Sequence, residues 1–248
     1  MAICEPRLSV KEKLNVTLNS SKNHRAVQVS EASKRGYDLE RLRRIQERAA
    51  SKIIVEDCFR KPISKVAGFD VAYLDDEAVA AAVTMEYSTL QVVEEKTLKG
   101  KVSFPYIPTF LGFREGPLII RLMRRLKLAP DVFMINSQGM AHPLFCGCAS
   151  YVGVSVDKPT IGVAGSKLCG EYEDRLEKVR DLAPLKYQGR IVGAVLLSKR
   201  GCKPIFISIG HKITLDTAVE ITKHFLTTHK FPEPIRLAHE LANRVKRL

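Results

Sequence analysis

The sequence lacks the features that would direct a protein into or across a membrane. No apolar run approaches the roughly 18 to 20 residues that a membrane-spanning helix needs. Residues 1–15 contain no apolar core followed by a small-residue cleavage site, so they do not resemble a secretory signal. We therefore expect an intracellular protein with no membrane partner, in the cytoplasm or, in a eukaryote, the nucleus.

The six cysteines form neither a disulfide framework nor a common zinc motif. The pair Cys146 and Cys148 is separated by one residue rather than two, and no His pair follows at ligand spacing. We expect buried or partly buried reduced thiols, as is usual inside cells. The cysteines are Cys4, Cys58, Cys146, Cys148, Cys169 and Cys202.

Acidic residues are also scarce relative to basic ones. Forty Lys and Arg against 27 Asp and Glu give a net charge of +13, and the basic residues are spread through the chain. This balance favours a polyanionic partner, with nucleic acid as the first candidate, although general solubility is the alternative. The sequence carries no signal for an oligomer, and we expect a monomer.

Length and pattern indicate one α/β domain. The 248 residues are 45% hydrophobic, enough for a sizeable core. Residues 1–36 are polar and aperiodic, which predicts a flexible basic extension before a domain at residues 37–248. A helix is predicted from Asp38, its N-cap, because apolar residues recur every three or four positions.

Short turns separate three apolar segments, which predicts an antiparallel meander of strands at residues 65–73, 78–87 and 90–98. Helices and strands then alternate, and the whole order is typical of a ribonuclease H-like α/β fold with a mixed sheet. The predicted elements are a helix near Arg114, a strand ending at Asn136, a helix from about Pro143, strands at 159–164, 191–197 and 204–209, and a helix from about Leu215.

Two carboxylates are candidates for catalysis. Asp70 interrupts a strand expected to be buried, where an unpaired carboxylate is costly unless a cation offsets its charge. Glu115 is predicted in the first turn of the next helix, where complementing the helix dipole is the alternative role.

Residues 130–168 contain a strand ending at Asn136, a glycine-containing turn, the step Ala141-His142-Pro143 and the strand PTIGVA. This segment resembles the centre of endonuclease V, and the likeness extends from about Tyr37 to Arg247. The resemblance implies hydrolysis of the second phosphodiester 3′ to an inosine. It also implies Mg²⁺, or Mn²⁺, held by Asp70, Glu115 and the residue at position 136.

The resemblance implies further site residues. His211, after a late strand, would serve as a metal ligand or proton carrier. Tyr106 would wedge into the nucleic acid beside the displaced base. The residues implied in nucleic-acid binding are Pro105, Tyr106, Ile107, Pro108, Thr109, Ser137, Gly139 and His142.

The chain departs from the family's pattern at several positions. Asn136 stands where the family has a metal-binding Asp, and it offers only a neutral carbonyl oxygen, so weaker metal affinity and slower hydrolysis are expected. Ser137, Leu144, Tyr151 and Gly165 replace the family's Gly, Arg, His and Lys. These changes support a rival hypothesis, an impaired homologue that binds inosine-containing DNA or RNA without cutting it.

Overall fold

The computed structural model describes residues 36–173 and 176–248, which form one eight-stranded sheet with helices on both faces. The predicted flexible extension lies outside the described residues, apart from Gly36. The strands are β1 (Lys65–Leu74), β2 (Glu77–Glu86), β3 (Val92–Lys101), β4 (Val132–Ile135), β5 (Thr160–Ala164), β6 (Leu182–Tyr187), β7 (Arg190–Leu196) and β8 (Ile205–His211).

Within the described ranges, five helices connect or cover these strands. The first begins where predicted, because the side chain of Asp38 accepts a hydrogen bond from the backbone N–H of Arg41 at 2.8 Å. No helix in the described part of the chain is long and apolar enough to cross a lipid bilayer. The helices are α1 (Leu39–Ala50), α2 (Leu111–Met123), α3 (Cys148–Val156), α4 (Leu215–His224) and α5 (Glu233–Lys246).

The strand order in the sheet is β3-β2-β1-β4-β5-β8-β7-β6. The strands β1, β2 and β3 pair antiparallel, which confirms the predicted meander. The strand β4 lies parallel to both β1 and β5, so their carboxyl ends meet at one edge. This mixed sheet confirms the ribonuclease H-like fold.

Alternating residues of the central strands supply two cores. Phe69 and Phe133 face α2 and α3, whereas Val66 and Met134 face α4 and α5. Since successive side chains of a strand point to opposite faces, Asp70 shares the α5 face with Val66. The alternation of side chains along β1 therefore places the Asp70 side chain on the face of the sheet that α5 covers.

Glycine at position 68 lets α5 lie directly on β1. A Cβ atom there would stand 2.1 Å from the carbonyl carbon of Pro234, so any side chain would push the helix away. Because α5 rises about 1.5 Å per residue, its next turn passes over the part of β1 that contains Asp70. This close packing brings α5 within reach of Asp70.

Some details differ from the prediction. The helix predicted near Arg114, α2, begins at Leu111, and the third strand, predicted at residues 90–98, is Val92–Lys101. The helix α3 begins at Cys148 rather than about Pro143, because the preceding Phe145 has a left-handed φ of 53°. The strand β6 was not predicted. It contains Pro184, which removes a ladder donor and is tolerated because β6 is at the sheet edge.

The five described cysteines are free thiols, as expected. Cys146 and Cys148 are buried and Cys169 and Cys202 partly buried, but Cys58 is exposed, so the burial prediction was wrong for that residue. Cys4 lies outside the described residues.

Candidate active site

Asp70 lies at the centre of a polar cluster in the middle of β1, beside the point where β4 ends. The residue is 9% exposed, and both of its side-chain oxygens accept hydrogen bonds. His239 donates from Nδ1 to Oδ2 at 2.6 Å, and Asn136 donates from Nδ2 to Oδ1 at 2.9 Å. Burial raises the pKa of Asp70, although both of these hydrogen bonds act to lower it.

His239 is the site residue that sequence reasoning missed. It lies on α5, and Asn243, one turn later, donates to His239 Nε2 at 3.1 Å. A hydrogen bond on each ring nitrogen fixes the imidazole with its Nδ1 proton toward Asp70. The sequence shows that His239 lies next to the apolar residues of α5. It does not show that α5 packs on β1, which is what brings His239 to Asp70.

Glu115 lies in the second turn of α2 rather than the predicted first turn, which weakens the helix-dipole alternative. The hydroxyl of Tyr73 donates to Glu115 Oε1 at 2.7 Å. Burial raises the pKa of Glu115 to about 7, the negative charge of Asp70 raises it further, and the hydrogen bond from Tyr73 and the charge of Arg114 oppose the shift. The two acids therefore influence each other electrostatically.

The raised pKa of Glu115 predicts a pH-dependent stability in the absence of metal. The folded protein holds this proton up to about pH 7, whereas the unfolded chain releases it near 4.5, so stability is lost as pH rises through that window. We expect Glu115→Gln to be more stable than the wild type at pH 8 by about 3 kcal/mol, with little difference near pH 4.5. Urea unfolding in EDTA measures this.

The exposed Glu47→Gln on α1 is the matched control, since it removes the same charge outside the site. It should leave stability nearly unchanged at both pH values. A stabilisation by Glu115→Gln that does not depend on pH would contradict the prediction.

Asn136 follows β4 and is joined to β1 twice. Its backbone N–H donates to the carbonyl of Phe69 at 3.0 Å, and its side-chain amide donates to Asp70. An aspartate at this position would place two carboxylates in contact, whereas the uncharged amide donates a hydrogen bond to the carboxylate of Asp70. Asn136 therefore stabilises the charged form of Asp70 without adding a second negative charge.

The donor set fits a divalent cation held by two acids. In the described residues, no three His, Cys, Asp or Glu side chains are grouped as metal ligands. Asp70 and Glu115 are nevertheless desolvated carboxylates, and the charge of Asp70 raises the pKa of Glu115. Mg²⁺ is commonly bound through one or two carboxylates together with substrate phosphates and water.

A cavity of about 270 Å³ adjoins this cluster. It lies between the loop before α2, the turn after β4 and the segment after β5. Tyr106 at its rim is 54% exposed, which leaves the ring free to contact a ligand. The predicted residues that line the cavity are Tyr106, Pro108, Thr109, Asn136, Ser137 and His142.

His142 holds one wall of the cavity in place. Its Nε2 donates to the carbonyl of Thr109 at 2.8 Å, and its Nδ1 accepts from the backbone N–H of Leu144 at 3.1 Å. Gln46 of α1 donates to the same carbonyl at 2.7 Å. Burial lowers the pKa of His142 to about 4, so the ring is neutral at physiological pH. Its contacts position the Thr109 loop.

Some predicted nucleic-acid contacts lie away from the cavity. Ile107 is 1% exposed and packs with Phe104 and Phe110, so it anchors the loop that presents Tyr106. Gly139 packs against β8, because a Cβ atom there would stand 2.1 Å from the carbonyl oxygen of Ile209. Pro105 flanks Tyr106 and is partly exposed.

The structure does not bring His211 to Asp70 or Glu115. It ends β8 opposite Thr160, the first residue of β5, whereas Asn136 follows β4 beyond the level of Gly162. Its Nε2 donates to Asp157 at 3.2 Å, and its Nδ1 accepts from the backbone of Ile54 at 3.3 Å. These contacts favour a structural role.

A larger cavity, of about 1000 Å³, lies along the edge strand β6. None of the predicted site residues lines it. We place the candidate active site at the acids and the smaller cavity, because Asn136 lines that cavity and donates to Asp70, and burial raises the pKa of both Asp70 and Glu115.

Comparison with known proteins shows which family this chain resembles. The family model for endonuclease V matches residues 47–240. Endonuclease V of Dictyoglomus thermophilum is 42% identical over 196 residues, which is 79% of this chain and 86% of the relative.

Solved structures give the same result. The crystal structure of endonuclease V from Streptomyces avermitilis has a TM-score of 0.78 and 37% identity, covering 84% of this chain and 92% of that one. Another similar structure is a variant of Ciona intestinalis endonuclease V in complex with a 23mer DNA containing an inosine followed by a ribo-adenosine. It has a TM-score of 0.75 and 30% identity, and the match covers 84% of this chain and 97% of that one.

Proposed function

This chain belongs to the endonuclease V family, and from that premise we propose that it hydrolyses the second phosphodiester 3′ to an inosine in nucleic acid. The observation that carries the proposal is the pairing of Asp70 and Glu115 beside a cavity bordered by the exposed ring of Tyr106. A net charge of +13 supports a polyanionic substrate. A DNA-repair or inosine-RNA-processing role follows from the substrate.

The cavity would receive the displaced hypoxanthine. Enzymes that read a single base turn it out of the stack into a pocket, and an exposed aromatic ring can fill the gap that remains. Tyr106 is suited to that role because Pro105 and Pro108 restrict the backbone around it. Ile107 fixes the base of the same loop in the core.

Asp70 and Glu115 would hold Mg²⁺, or Mn²⁺, with the carbonyl oxygen of Asn136 as a third, neutral donor. A divalent cation supplies an activated water and offsets charge on the scissile phosphate and the leaving 3′ oxygen. Tyr73 fixes Oε1 of Glu115 by donating to it. His239 fixes the carboxylate of Asp70 from the opposite side of the site.

A second candidate function is binding of inosine-containing nucleic acid without cleavage. The hydrogen bond from the Asn136 amide to Asp70 favours it, because the amide occupies an oxygen that a metal would use and removes one charge. For coordination the amide must rotate, so that its oxygen replaces its nitrogen.

One experiment separates the two candidates. The protein is incubated with labelled oligonucleotides containing inosine or adenosine, as DNA and RNA, single and double strands, in Mg²⁺, Mn²⁺ or EDTA. We expect inosine-dependent and metal-dependent product, cut at the second phosphodiester 3′ to inosine. Tight inosine-selective binding without product would favour the binder. Equal binding of inosine and adenosine strands would contradict both.

A further inference from the structure

A lysine from a distant part of the chain reaches Gly165, one of the residues that line the cavity. Lys230 lies between α4 and α5, and its Nζ donates to the carbonyl of Gly165 at 3.3 Å. Gly165 follows β5 and lines the cavity together with Asn136. The ammonium group of Lys230 therefore lies next to the part of the cavity wall that Gly165 forms, in the same cavity that Asn136 of the proposed metal site lines.

The absence of a side chain at Gly165 makes room for this arrangement. A Cβ atom at that position would stand 2.9 Å from Cζ of Phe231 and 3.5 Å from the Nζ of Lys230. The phenyl ring and the ammonium thus occupy the space that a longer residue at position 165 would need. A positive charge is present at this wall, although residue 165 does not supply it.

The backbone on both sides of Lys230 is held in place. The hydroxyl of Ser198 donates to the carbonyl of Lys230 at 2.6 Å. Phe231 packs against the core under α4 and α5, and the Lys230 ammonium lies 5.4 Å from the centroid of its ring. Holding the ammonium in one position reduces the entropy lost when it binds a ligand.

The charge of Lys230 has no acidic partner. Throughout residues 36–173 and 176–248, no Asp or Glu forms an ion pair with it, and its one hydrogen-bond acceptor is the neutral carbonyl of Gly165. An ammonium group has three donors, so two remain for a ligand. A partly buried cation with free donors, beside a cavity, is suited to a phosphate oxygen.

We propose that Lys230 positions a phosphate of the bound strand at the wall formed by Gly165, supplying from the α4–α5 connection the cation that residue 165 lacks. This inference rests on the proposed function, because it takes nucleic acid as the ligand of the cavity. Lys230 is a positioning residue in this arrangement. Asp70 and Glu115 remain the groups assigned to the reaction.

The salt dependence of binding tests the proposal, because each phosphate contact contributes to the slope of log affinity against log salt. Fluorescence anisotropy with an inosine oligonucleotide is measured for the wild type, Lys230→Gln and Lys230→Arg. We expect Lys230→Gln to reduce the slope by about 0.7 on single strands and about 0.9 on duplex, and to weaken affinity about fivefold at 0.1 M salt. Lys230→Arg should keep both values.

The matched control is Lys65→Gln. Lys65 is also partly exposed and also donates to one neutral oxygen, the hydroxyl of Ser64, at 3.1 Å. It lies at the start of β1, roughly 16 Å along the strand from Asp70, counting about 3.3 Å per residue. This variant should bind with the wild-type slope. Thermal melting of all four proteins checks that each is folded.

The outcomes distinguish this inference from the proposed function. An unchanged slope in folded Lys230→Gln would overturn the role of Lys230, whatever the protein cuts. A reduced slope with equal binding of inosine and adenosine strands would support Lys230 while removing the inosine specificity. Absence of binding by the wild type to any strand would overturn both. A structural role alone would lower the melting temperature and leave the slope intact.

Discussion

Asn136→Asp is expected to raise the rate of inosine-directed cleavage about 100-fold or more, equivalent to about 3 kcal/mol in the activation barrier. The substitution replaces an amide that donates to Asp70 with a third carboxylate facing the same space. Mg²⁺ prefers charged oxygen ligands, so the variant should bind the ion more tightly and hold it during the reaction. Single-turnover cleavage over a range of Mg²⁺ concentrations measures both changes.

The same substitution should make stability depend on metal. Without a cation, the new carboxylate would lie against Asp70, which is buried and already has a raised pKa. We expect the melting temperature of Asn136→Asp to fall below that of the wild type in EDTA and to rise with Mg²⁺ concentration, because ligand binding stabilises the folded state. The wild type should respond less to Mg²⁺.

Asn136→Leu is the matched control for this position. It keeps a similar size but supplies no oxygen ligand and no charge, so it should gain neither cleavage nor metal-dependent stability. If Asn136→Asp binds inosine strands and cuts no faster than the wild type, charge at position 136 does not limit the reaction. That result would leave the binder as the better candidate.

Asp70→Asn is expected to reduce cleavage about 1,000-fold, or about 4 kcal/mol. Asp70 is the acid at the centre of the cluster, where it contacts both His239 and Asn136. The substitution keeps the shape of the side chain and removes the charge that would hold the cation. The effect is measured in the wild type and, if wild-type cleavage is slow, in the Asn136→Asp background.

Loss of folding should not explain this loss of activity. The amide oxygen of the variant can still accept one of the two hydrogen bonds that Asp70 accepts, and thermal melting of Asp70→Asn checks that it is folded. Asp131→Asn is the matched control, since Asp131 precedes β4 at its other end and accepts from the backbone of Ser64 and Lys65 at 2.7 and 3.0 Å. That variant should lose stability but keep cleavage. Undiminished cleavage by Asp70→Asn would remove Asp70 from the mechanism.

The sequence alone predicted much of the fold, because the governing signals are local. Apolar residues at every third or fourth position, with Asp38 before them, specify α1 through periodicity and capping. The two short turns between β1, β2 and β3 permit only antiparallel neighbours. The edge strand β6 was missed because Pro184 interrupts a pattern that is only six residues long.

Part of the site was also predicted, because some of its signals are local in the sequence. Asp70 and Glu115 follow from motifs and from the cost of an acid in an apolar strand, and the structure places their charges near each other. His211 illustrates the limit of such reasoning. Its residue type and its position at a strand end are readable, but its partners, Asp157 and the backbone of Ile54, come from elements far away in the chain.

The sequence by itself determined the family's motifs, the strand order of the meander and the amide at position 136. Only the tertiary structure decided that this amide donates to Asp70, that His239 holds the other oxygen, and that Lys230 reaches the wall at Gly165. The reason is physical. Periodicity and turn chemistry act over a few residues, whereas these contacts join positions 65 to 169 residues apart and depend on how closely helices pack on the sheet.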